Sequence, residues 1–226
     1  MNAFFSVHGS QKNQALIDFA RALQEKGVGI YASGGTMRFL VQKGELNVVD
    51  FADTLQQSFV AQCQTAGILR TDINARRAME MMREAGLDFG EVLEHQVVTI
   101  SRELAIMLLC SDNPEHMALR EKMGLPKIDL LYCYFYPLVE AIAAGATIEE
   151  VIKQTDIGGP LMIRLAAKGG RIVICDPADL SWVQEKIQAD GDLDLASRQH
   201  LRGKAESVVS QYSAASGLFH LTHLTT

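Results

Sequence analysis

Short apolar runs alternate along this chain with segments in which apolar residues recur at helical spacing. The runs at 3–7, 28–32, 47–49, 130–135 and 171–175 are bounded by glycine or charged residues, as buried strands usually are. Between the first two runs, Leu16, Phe19, Ala20 and Leu23 have the spacing of one helix face. Because strands that alternate with helices form parallel sheets, the pattern predicts an α/β domain with a mostly parallel central sheet.

The same periodicity predicts the remaining helices. They fall at residues 37–42, 75–85, 103–109, 115–123, 138–144, 148–153, 161–167, 178–188 and 196–212. The stretch at about 55–88 departs from the alternation of strands and helices, and we interpret it as a helical insertion. No internal repeat or low-complexity linker divides the chain, so we expect residues 1–226 to form a single domain.

Composition narrows the class of partner. A chain of 226 residues with 48% hydrophobic content can bury a substantial core. Its formal net charge of −6, with both signs mixed along the sequence, argues against general binding to nucleic acid or anionic membrane. The chain has no signal-like start and no apolar stretch of about 18 residues, so a cytoplasmic location is expected. A small molecule is the expected partner.

Cysteine and histidine residues give no sign of a metal site. The four cysteines are scattered without the close pairing of zinc sites, which favours reduced core residues. The six histidines likewise lack metal-ligand spacing. We therefore expect no bound metal.

Two loops are candidates for binding an anion. Ser33-Gly34-Gly35-Thr36 stands where a strand ends and a helix begins, so free backbone N–H groups and the positive helix end can hold a phosphate. A tight turn with an N-cap explains the tetrapeptide equally well. The loop after the first strand would open on the same sheet edge.

That first loop contains Ser6, Ser10 and Lys12, which offer two hydroxyls and a positive charge. An ordinary exposed polar loop remains the alternative.

A third segment, Asp156-Ile157-Gly158-Gly159-Pro160, places a carboxylate before two glycines and a proline that begins a helix. This suits Asp156 as an N-cap. The functional alternative is that Asp156 accepts a hydrogen bond from a substrate amide while the glycine backbone packs on a planar ring. By local rules alone, Lys168 is a helix-capping residue and Tyr136 a core residue.

Taken in order, these segments resemble the inosine monophosphate cyclohydrolase domain of a bifunctional purine enzyme, within the methylglyoxal synthase-like superfamily. The combination of an aspartate-isoleucine-glycine-glycine segment with a following alanine-alanine-lysine is unusual outside this family. The matching pieces are Phe5-Ser6-Val7, Asp18-Phe19-Ala20-Arg21-Ala22-Leu23, Ala32-Ser33-Gly34-Gly35-Thr36, Tyr136-Pro137, Asp156-Ile157-Gly158-Gly159-Pro160, Ala166-Ala167-Lys168 and Cys175-Asp176-Pro177-Ala178-Asp179. The resemblance implies a three-layer α/β/α domain and extends nearly end to end.

The resemblance also implies a reaction, which is ring closure of a formylated aminoimidazole carboxamide ribonucleotide to inosine monophosphate without any cofactor. It implies a role for each matching residue. Lys168, Tyr136 and Asp156 would be catalytic. The 5′-phosphate would be bound by Ser6, Ser10, Lys12, Ser33, Gly34, Gly35 and Thr36. The base would be bound by Thr99, Ile157, Gly158 and Gly159.

The chain departs from the family at two places. In the stretch at 95–102, Gln96 stands where the family has an arginine and Val98 where it has a lysine that contacts substrate. Losing such a charge costs roughly 10²-fold in rate. In the first loop, His8-Gly9-Ser10 replaces serine-aspartate-lysine, and Lys12 is the candidate for the missing lysine.

Three functions are compatible with this pattern. The first is an active cyclohydrolase whose missing charges are replaced by Arg70, Arg76, Arg77 or Arg102. The second is a purine-nucleotide-binding module that senses intermediates or assists a separate formyltransferase, and the third and weakest is a lyase like methylglyoxal synthase. The resemblance implies a homodimer, and since no transformylase domain is expected in this chain, formyl transfer would come from another polypeptide.

Overall fold

The computed structural model of the chain describes residues 1–84 and 99–223, and within them a five-stranded sheet forms the centre. The strands are β1 (Asn2–Val7), β2 (Gly29–Ala32), β3 (Val48–Asp50), β4 (Leu130–Tyr134) and β5 (Ile172–Ile174). Their order across the sheet is β3-β2-β1-β4-β5, and every pairing is parallel. The predicted parallel sheet is therefore confirmed.

The longest strand, β1, lies at the centre of the sheet. It pairs on one side with β2, where Phe5 lies opposite Ala32, and on the other side with β4, where Val7 lies opposite Tyr134. In a parallel sheet all carboxyl ends meet at one edge, which is where ligands bind in folds of this kind. The loops that follow β1, β2 and β4 therefore leave the sheet as neighbours.

Eleven helices cover the sheet in the part of the chain that the structure describes. They are α1 (Gln14–Glu25), α2 (Gly34–Gly44), α3 (Phe51–Thr65), α4 (Ala75–Glu84), α5 (Arg102–Leu109), α6 (Pro114–Lys122), α7 (Leu138–Ala143), α8 (Ile148–Gln154), α9 (Gly158–Lys168), α10 (Leu180–Asp190) and α11 (Leu195–Thr222). Short 3₁₀ turns occupy Gly9–Gln11 and Pro177–Asp179.

Two cores lie on opposite faces of the sheet because successive strand residues point to opposite sides. Phe5 and Tyr132 face a core formed with α1, α2 and α10. Phe4 and Leu131 face a second core formed with α3, α5, α9 and α11. Helices on both faces of one sheet make three layers, so the three-layer α/β/α fold is confirmed.

Within the stretch at about 55–88, the described residues form most of α3, a turn segment at 66–74 and helix α4. Helix α3 begins at Phe51, ahead of this stretch, and its N-cap is Asp50, whose side chain accepts a hydrogen bond from the N–H of Ala52 at 3.0 Å. Sequence periodicity missed this helix because its buried face includes the polar residues Thr54 and Ser58. The following helix α4 contacts α3 and matches its predicted start at residue 75.

No helix within residues 1–84 and 99–223 combines the length and the apolar character that crossing a bilayer requires.

Candidate functional site

The end of β1 with the loop after it (residues 6–12) and the loop after β2 (residues 33–36) are joined to each other at the carboxyl edge of the sheet. The backbone N–H of Val7 donates to Thr36 Oγ1 at 3.0 Å, and the N–H of Ser33 donates to the carbonyl oxygen of Phe5 at 3.0 Å. Thr36 is only 1% exposed, and its hydroxyl also accepts a hydrogen bond from Ser33 Oγ at 3.3 Å. The Thr36 hydroxyl, predicted to bind phosphate, therefore holds the two loops together.

Helix α2 begins in the second of these loops. The first N–H groups of a helix have no acceptor within the helix, and here they belong to Gly34 and Gly35. Ser33 makes no side-chain capping bond to these groups. The positive end of an eleven-residue helix therefore opens between the loops.

Two cations lie over this helix end. A Cβ atom placed on Gly35 would lie 3.1 Å from Lys12 Nζ, and one placed on Gly34 would lie 3.6 Å from Arg38 Nη1. Partial burial, and then the positive charge of Arg38, lower the pKa of the Lys12 ammonium. Neither cation forms an ion pair within the described residues. The concentrated positive charge favours an anion at this position.

The other two predicted phosphate ligands lie in or next to the first loop. Ser6 is half-buried in β1, whereas Ser10 is exposed and its Oγ lies 3.0 Å from His8 Nδ1. The His8 ring in turn packs edge-on against Tyr136, with ring centroids 5.2 Å apart. The first loop is thus fixed to the segment that follows β4.

Asp156 precedes α9 and is held from two sides. Its Oδ1 accepts a hydrogen bond from the N–H of Gly159 at 2.8 Å, and its own N–H donates to the Tyr212 hydroxyl at 2.7 Å. Ile157, not Asp156, is the N-cap of α9, so the predicted N-cap position is wrong by one residue, although Asp156 does accept a hydrogen bond from the first turn of the helix. The second carboxylate oxygen of Asp156, Oδ2, makes no hydrogen bond within the described part of the chain and remains available.

The two glycines of the third segment are both buried at the start of α9. A Cβ atom on Gly158 would lie 2.5 Å from Thr99 Oγ1, and one on Gly159 would lie 2.7 Å from Phe135 Cβ. Neither position has space for a side chain, so the glycines permit α9 to approach these neighbours. The structure thereby brings Thr99 next to Gly158, while Ile157 is 62% exposed beside them.

Tyr136 is half-buried and lines a cleft of about 560 Å³ at the ends of β4 and β5. Tyr212 of α11 lines the same cleft and packs against Phe135 with ring centroids 4.6 Å apart. Burial raises the pKa of the Tyr212 hydroxyl. The cleft adjoins the first loop because Gln11 forms part of its wall.

A lysine on α11 neutralises the acidic side of this cleft. Lys204 Nζ lies 2.7 Å from Asp176 Oδ2 and 2.8 Å from Asp179 Oδ2. Hydrogen bonding to Lys204 lowers the pKa of the Asp176 carboxyl. The two carboxylates are thereby engaged within the protein.

Lys168 is separated from the other predicted catalytic residues. It is exposed at the last position of α9, whereas Asp156 precedes the first. The ten-residue separation between Gly158 and Lys168 corresponds to about 15 Å of helix. A lysine side chain is shorter than this distance, so Lys168 does not reach the start of its own α9 helix.

The four arginines predicted to replace missing charges are paired elsewhere. Each lies in or next to the α3, α4 and α5 region with a carboxylate partner, in the pairs Arg70–Asp72, Arg76–Glu80, Arg77–Glu80 and Arg102–Glu103. None of these pairs includes a residue of the two loops. Beside these loops the structure places Arg38 together with Lys12.

Sequence reasoning missed two residues of the site. Arg38 carried a readable signal, since it is a cation only two positions after the Ser33-Gly34-Gly35-Thr36 motif. Tyr212 carried none, because 56 residues separate it from Asp156. Gln96 and Val98 lie outside the described residues.

The cysteines are buried and reduced, as expected. Burial raises the pKa of the Cys175 thiol to about 12 and that of Cys133 well above its usual range, so both remain protonated. Among residues 1–84 and 99–223, no three His, Cys, Asp or Glu side chains are grouped to hold a metal ion.

Comparison with known proteins agrees with this architecture. Residues 15–161 match the family described as "MGS-like domain". The chain is 29% identical over 211 residues to the bifunctional purine biosynthesis protein PurH of Clostridium beijerinckii, with 92% of this chain covered. It is 33% identical over 210 residues to PurH of Limosilactobacillus reuteri, with 88% covered. These alignments span 36% and 35% of the relatives, about a third of their length.

A solved structure titled "Crystal structure of ForH" has the same fold, with a TM-score of 0.66 and 21% identity over 96% of this chain and 97% of that one. Because the family match extends over more than half of the sequence and the five parallel strands agree with it, the chain belongs to the MGS-like domain family.

Proposed function

We propose that this chain acts in purine biosynthesis by closing the ring of a formylated aminoimidazole carboxamide ribonucleotide to give inosine monophosphate. One observation carries the proposal. The two loops joined through Thr36 place Lys12 over the free N–H groups of Gly34 and Gly35. A helix start with a cation beside it favours a phosphate group.

We assign binding of the 5′-phosphate to the loop end of the site, which consists of the two loops joined through Thr36 and the start of α2. The N–H groups of Gly34 and Gly35 donate to phosphate oxygens, and Lys12 supplies charge. The hydroxyls of Ser6, Ser10 and Ser33 add donors at the rim. Thr36 contributes by holding the two loops in register.

The heterocycle is assigned to the start of α9. Thr99 Oγ1 provides a hydrogen-bonding group beside Gly158, and the exposed side chain of Ile157 offers an apolar face to a planar ring. Gly159 acts indirectly, since its N–H holds the Asp156 carboxylate at 2.8 Å. These contacts would present the carboxamide of the substrate to Asp156.

In the proposed reaction the carboxamide nitrogen attacks the formyl carbon. A carbon–nitrogen bond forms as the carboxamide nitrogen loses one proton and the formyl oxygen gains one. The formamide nitrogen then loses its proton, a carbon–nitrogen double bond forms, the carbon–oxygen bond breaks, and the oxygen leaves with both protons as water. Asp156 Oδ2 accepts the hydrogen bond of the attacking N–H group, and the Tyr136 hydroxyl donates to the formyl oxygen as negative charge develops on it. This condensation involves no net oxidation or reduction, so it requires no oxidant or reductant.

Ultraviolet absorbance of the purified chain mixed with the formylated ribonucleotide tests the proposal, because the closed purine ring absorbs differently from its precursor. We expect formation of inosine monophosphate by the wild-type chain. A folded preparation that leaves the precursor unchanged would contradict the proposal.

A second candidate function is nucleotide binding without catalysis. The observation that favours it is Val98, which cannot supply the positive charge that the family resemblance implies at this position. In this case the chain would sense a purine nucleotide or assist a separate formyltransferase. Saturable binding of inosine monophosphate with no ring closure would support this function and exclude the first.

We further propose that two copies pair, and that any catalytic role of Lys168 is exerted in the site of the partner copy. This follows from its exposed position about 15 Å along α9. Mixing Lys168→Gln with Asp156→Asn chains, each inactive alone, should then restore part of the activity. A monomer in light scattering, or no recovery on mixing, would refute this proposal.

A further inference from the structure

We infer that Arg38 binds the phosphate group of the ligand and makes the loop end of the site select a doubly charged phosphate monoester. This inference rests on the proposed nucleotide site and extends it to a residue that neither the motif nor the local pattern singled out.

The guanidinium of Arg38 adds positive charge beside the positive end of α2. Arg38 is the fifth residue of α2 and is exposed in the second turn of the helix. Its Nη1 would lie 3.6 Å from a Cβ atom on Gly34, so the guanidinium folds back over the helix start. Lys12 approaches the same helix end from the other loop, and partial burial, followed by the charge of Arg38, lowers the pKa of its ammonium. Three positive groups therefore converge.

Among the described residues, no carboxylate forms an ion pair with Lys12 or Arg38. Asp50 is close, since its Oδ2 would lie 3.7 Å from the same Cβ atom on Gly34, but its Oδ1 caps α3 through the N–H of Ala52. No ion pair joins Asp50 to Arg38 in the part of the chain that the structure describes. By contrast, Arg21 and Arg164, also exposed on helices, each have a carboxylate partner.

The geometry points to a ligand with about two negative charges. A phosphate monoester carries about −1.5 to −2 at neutral pH, which matches the combined charge of Lys12 and Arg38 at a helix start. A guanidinium can also donate two parallel hydrogen bonds to phosphate oxygens. A nucleoside offers no charge to this site, and a phosphodiester offers only one.

Calorimetric titration of the full chain measures this selectivity. The probes are inosine 5′-monophosphate, its singly charged methyl ester and uncharged inosine. Arg38→Gln should weaken monophosphate binding by roughly 10- to 100-fold, the effect of one charge-assisted contact. Binding of the methyl ester should weaken less, and inosine binding should not change. Arg38→Lys should restore part of the affinity.

The matched control is Lys43→Gln, which removes an exposed cation from the last turn of the same helix. This variant should bind all three probes as the wild type does. Equal monophosphate affinity for Arg38→Gln and wild type, or equal losses for Lys43→Gln, would overturn the inference, as would a wild type that binds none of the probes. Ring closure is assayed separately, so loss of turnover with intact Arg38-dependent binding would refute only the proposed reaction.

Discussion

The two ends of the candidate site are built in different ways. The phosphate end consists of two short loops after neighbouring strands, joined by the hydroxyl of Thr36. The reaction end gathers Asp156, Thr99, Tyr136 and Tyr212 from four separate parts of the chain. The first end is a local motif and the second is a product of tertiary packing. Substitutions at the two ends should therefore have different consequences.

The glycines at the two ends differ in how closely protein packs around them. A methyl group on Gly35 would meet only the flexible end of Lys12, whereas one on Gly159 would lie 2.7 Å from Phe135 Cβ in the packed core. The backbone at the phosphate end therefore leaves space for a ligand next to Gly35, whereas the backbone at the start of α9 packs directly against protein.

The largest expected effect is at Asp156. Asp156→Asn keeps an oxygen that can accept the Gly159 N–H but removes the negative charge. The rate of ring closure should therefore fall about 100-fold or more. Affinity for inosine monophosphate should change much less, because the phosphate contacts are intact. Steady-state kinetics with a parallel binding titration separates the two, and Asp190→Asn at the exposed end of α10 is the control.

Gly159→Ala should cost about 1–3 kcal/mol of unfolding free energy, because the new methyl group overpacks the contact with Phe135. Gly203→Ala is the control, since a Cβ atom there meets nothing within 4 Å and alanine favours the α11 helix. Urea denaturation should show opposite shifts for the two variants. If Gly159→Ala leaves the unfolding free energy unchanged, α9 packs less closely against Phe135 than the 2.7 Å distance implies.

Thr36→Val should destabilise the chain by about 1–2 kcal/mol, because the buried N–H of Val7 loses its acceptor. Thr36→Ser keeps the hydroxyl and should retain most of the stability. Denaturant midpoints of the two variants test whether Thr36 holds the loops together. If valine and serine are equivalent, the hydroxyl has another role.

The smallest effect on stability is expected for Gly35→Ala, within about 0.5 kcal/mol, since only the mobile end of Lys12 must shift. The methyl group would nevertheless occupy ligand space, so monophosphate affinity should fall roughly tenfold. Binding and unfolding measured on the same preparation would show the dissociation. Loss of stability without loss of binding would reverse the comparison between the two ends.

The sequence predicted the sheet well because buried parallel strands are short apolar runs with clear boundaries. It missed α3, where buried Thr54 and Ser58 interrupt the apolar period. At the site, the motif after β2 was readable because strand, turn and helix are contiguous. Tyr212 was not, because no local pattern links it to Asp156.

Lys168 shows that closeness to a motif in sequence does not ensure closeness in space. It lies only 12 positions after Asp156 in sequence, but the intervening helix carries it away from the site. Arg38 shows the converse, since it lies outside the motif at residues 33–36 and yet its side chain lies over the helix start.

The most direct test of the central claim is a crystal structure of the chain with inosine monophosphate. We predict phosphate oxygens within hydrogen-bonding distance, about 2.7–3.2 Å, of the Gly34 and Gly35 nitrogens and of Lys12 Nζ. A phosphate bound instead beside Asp176 and Lys204, with the α2 end contacting only solvent, would contradict the account.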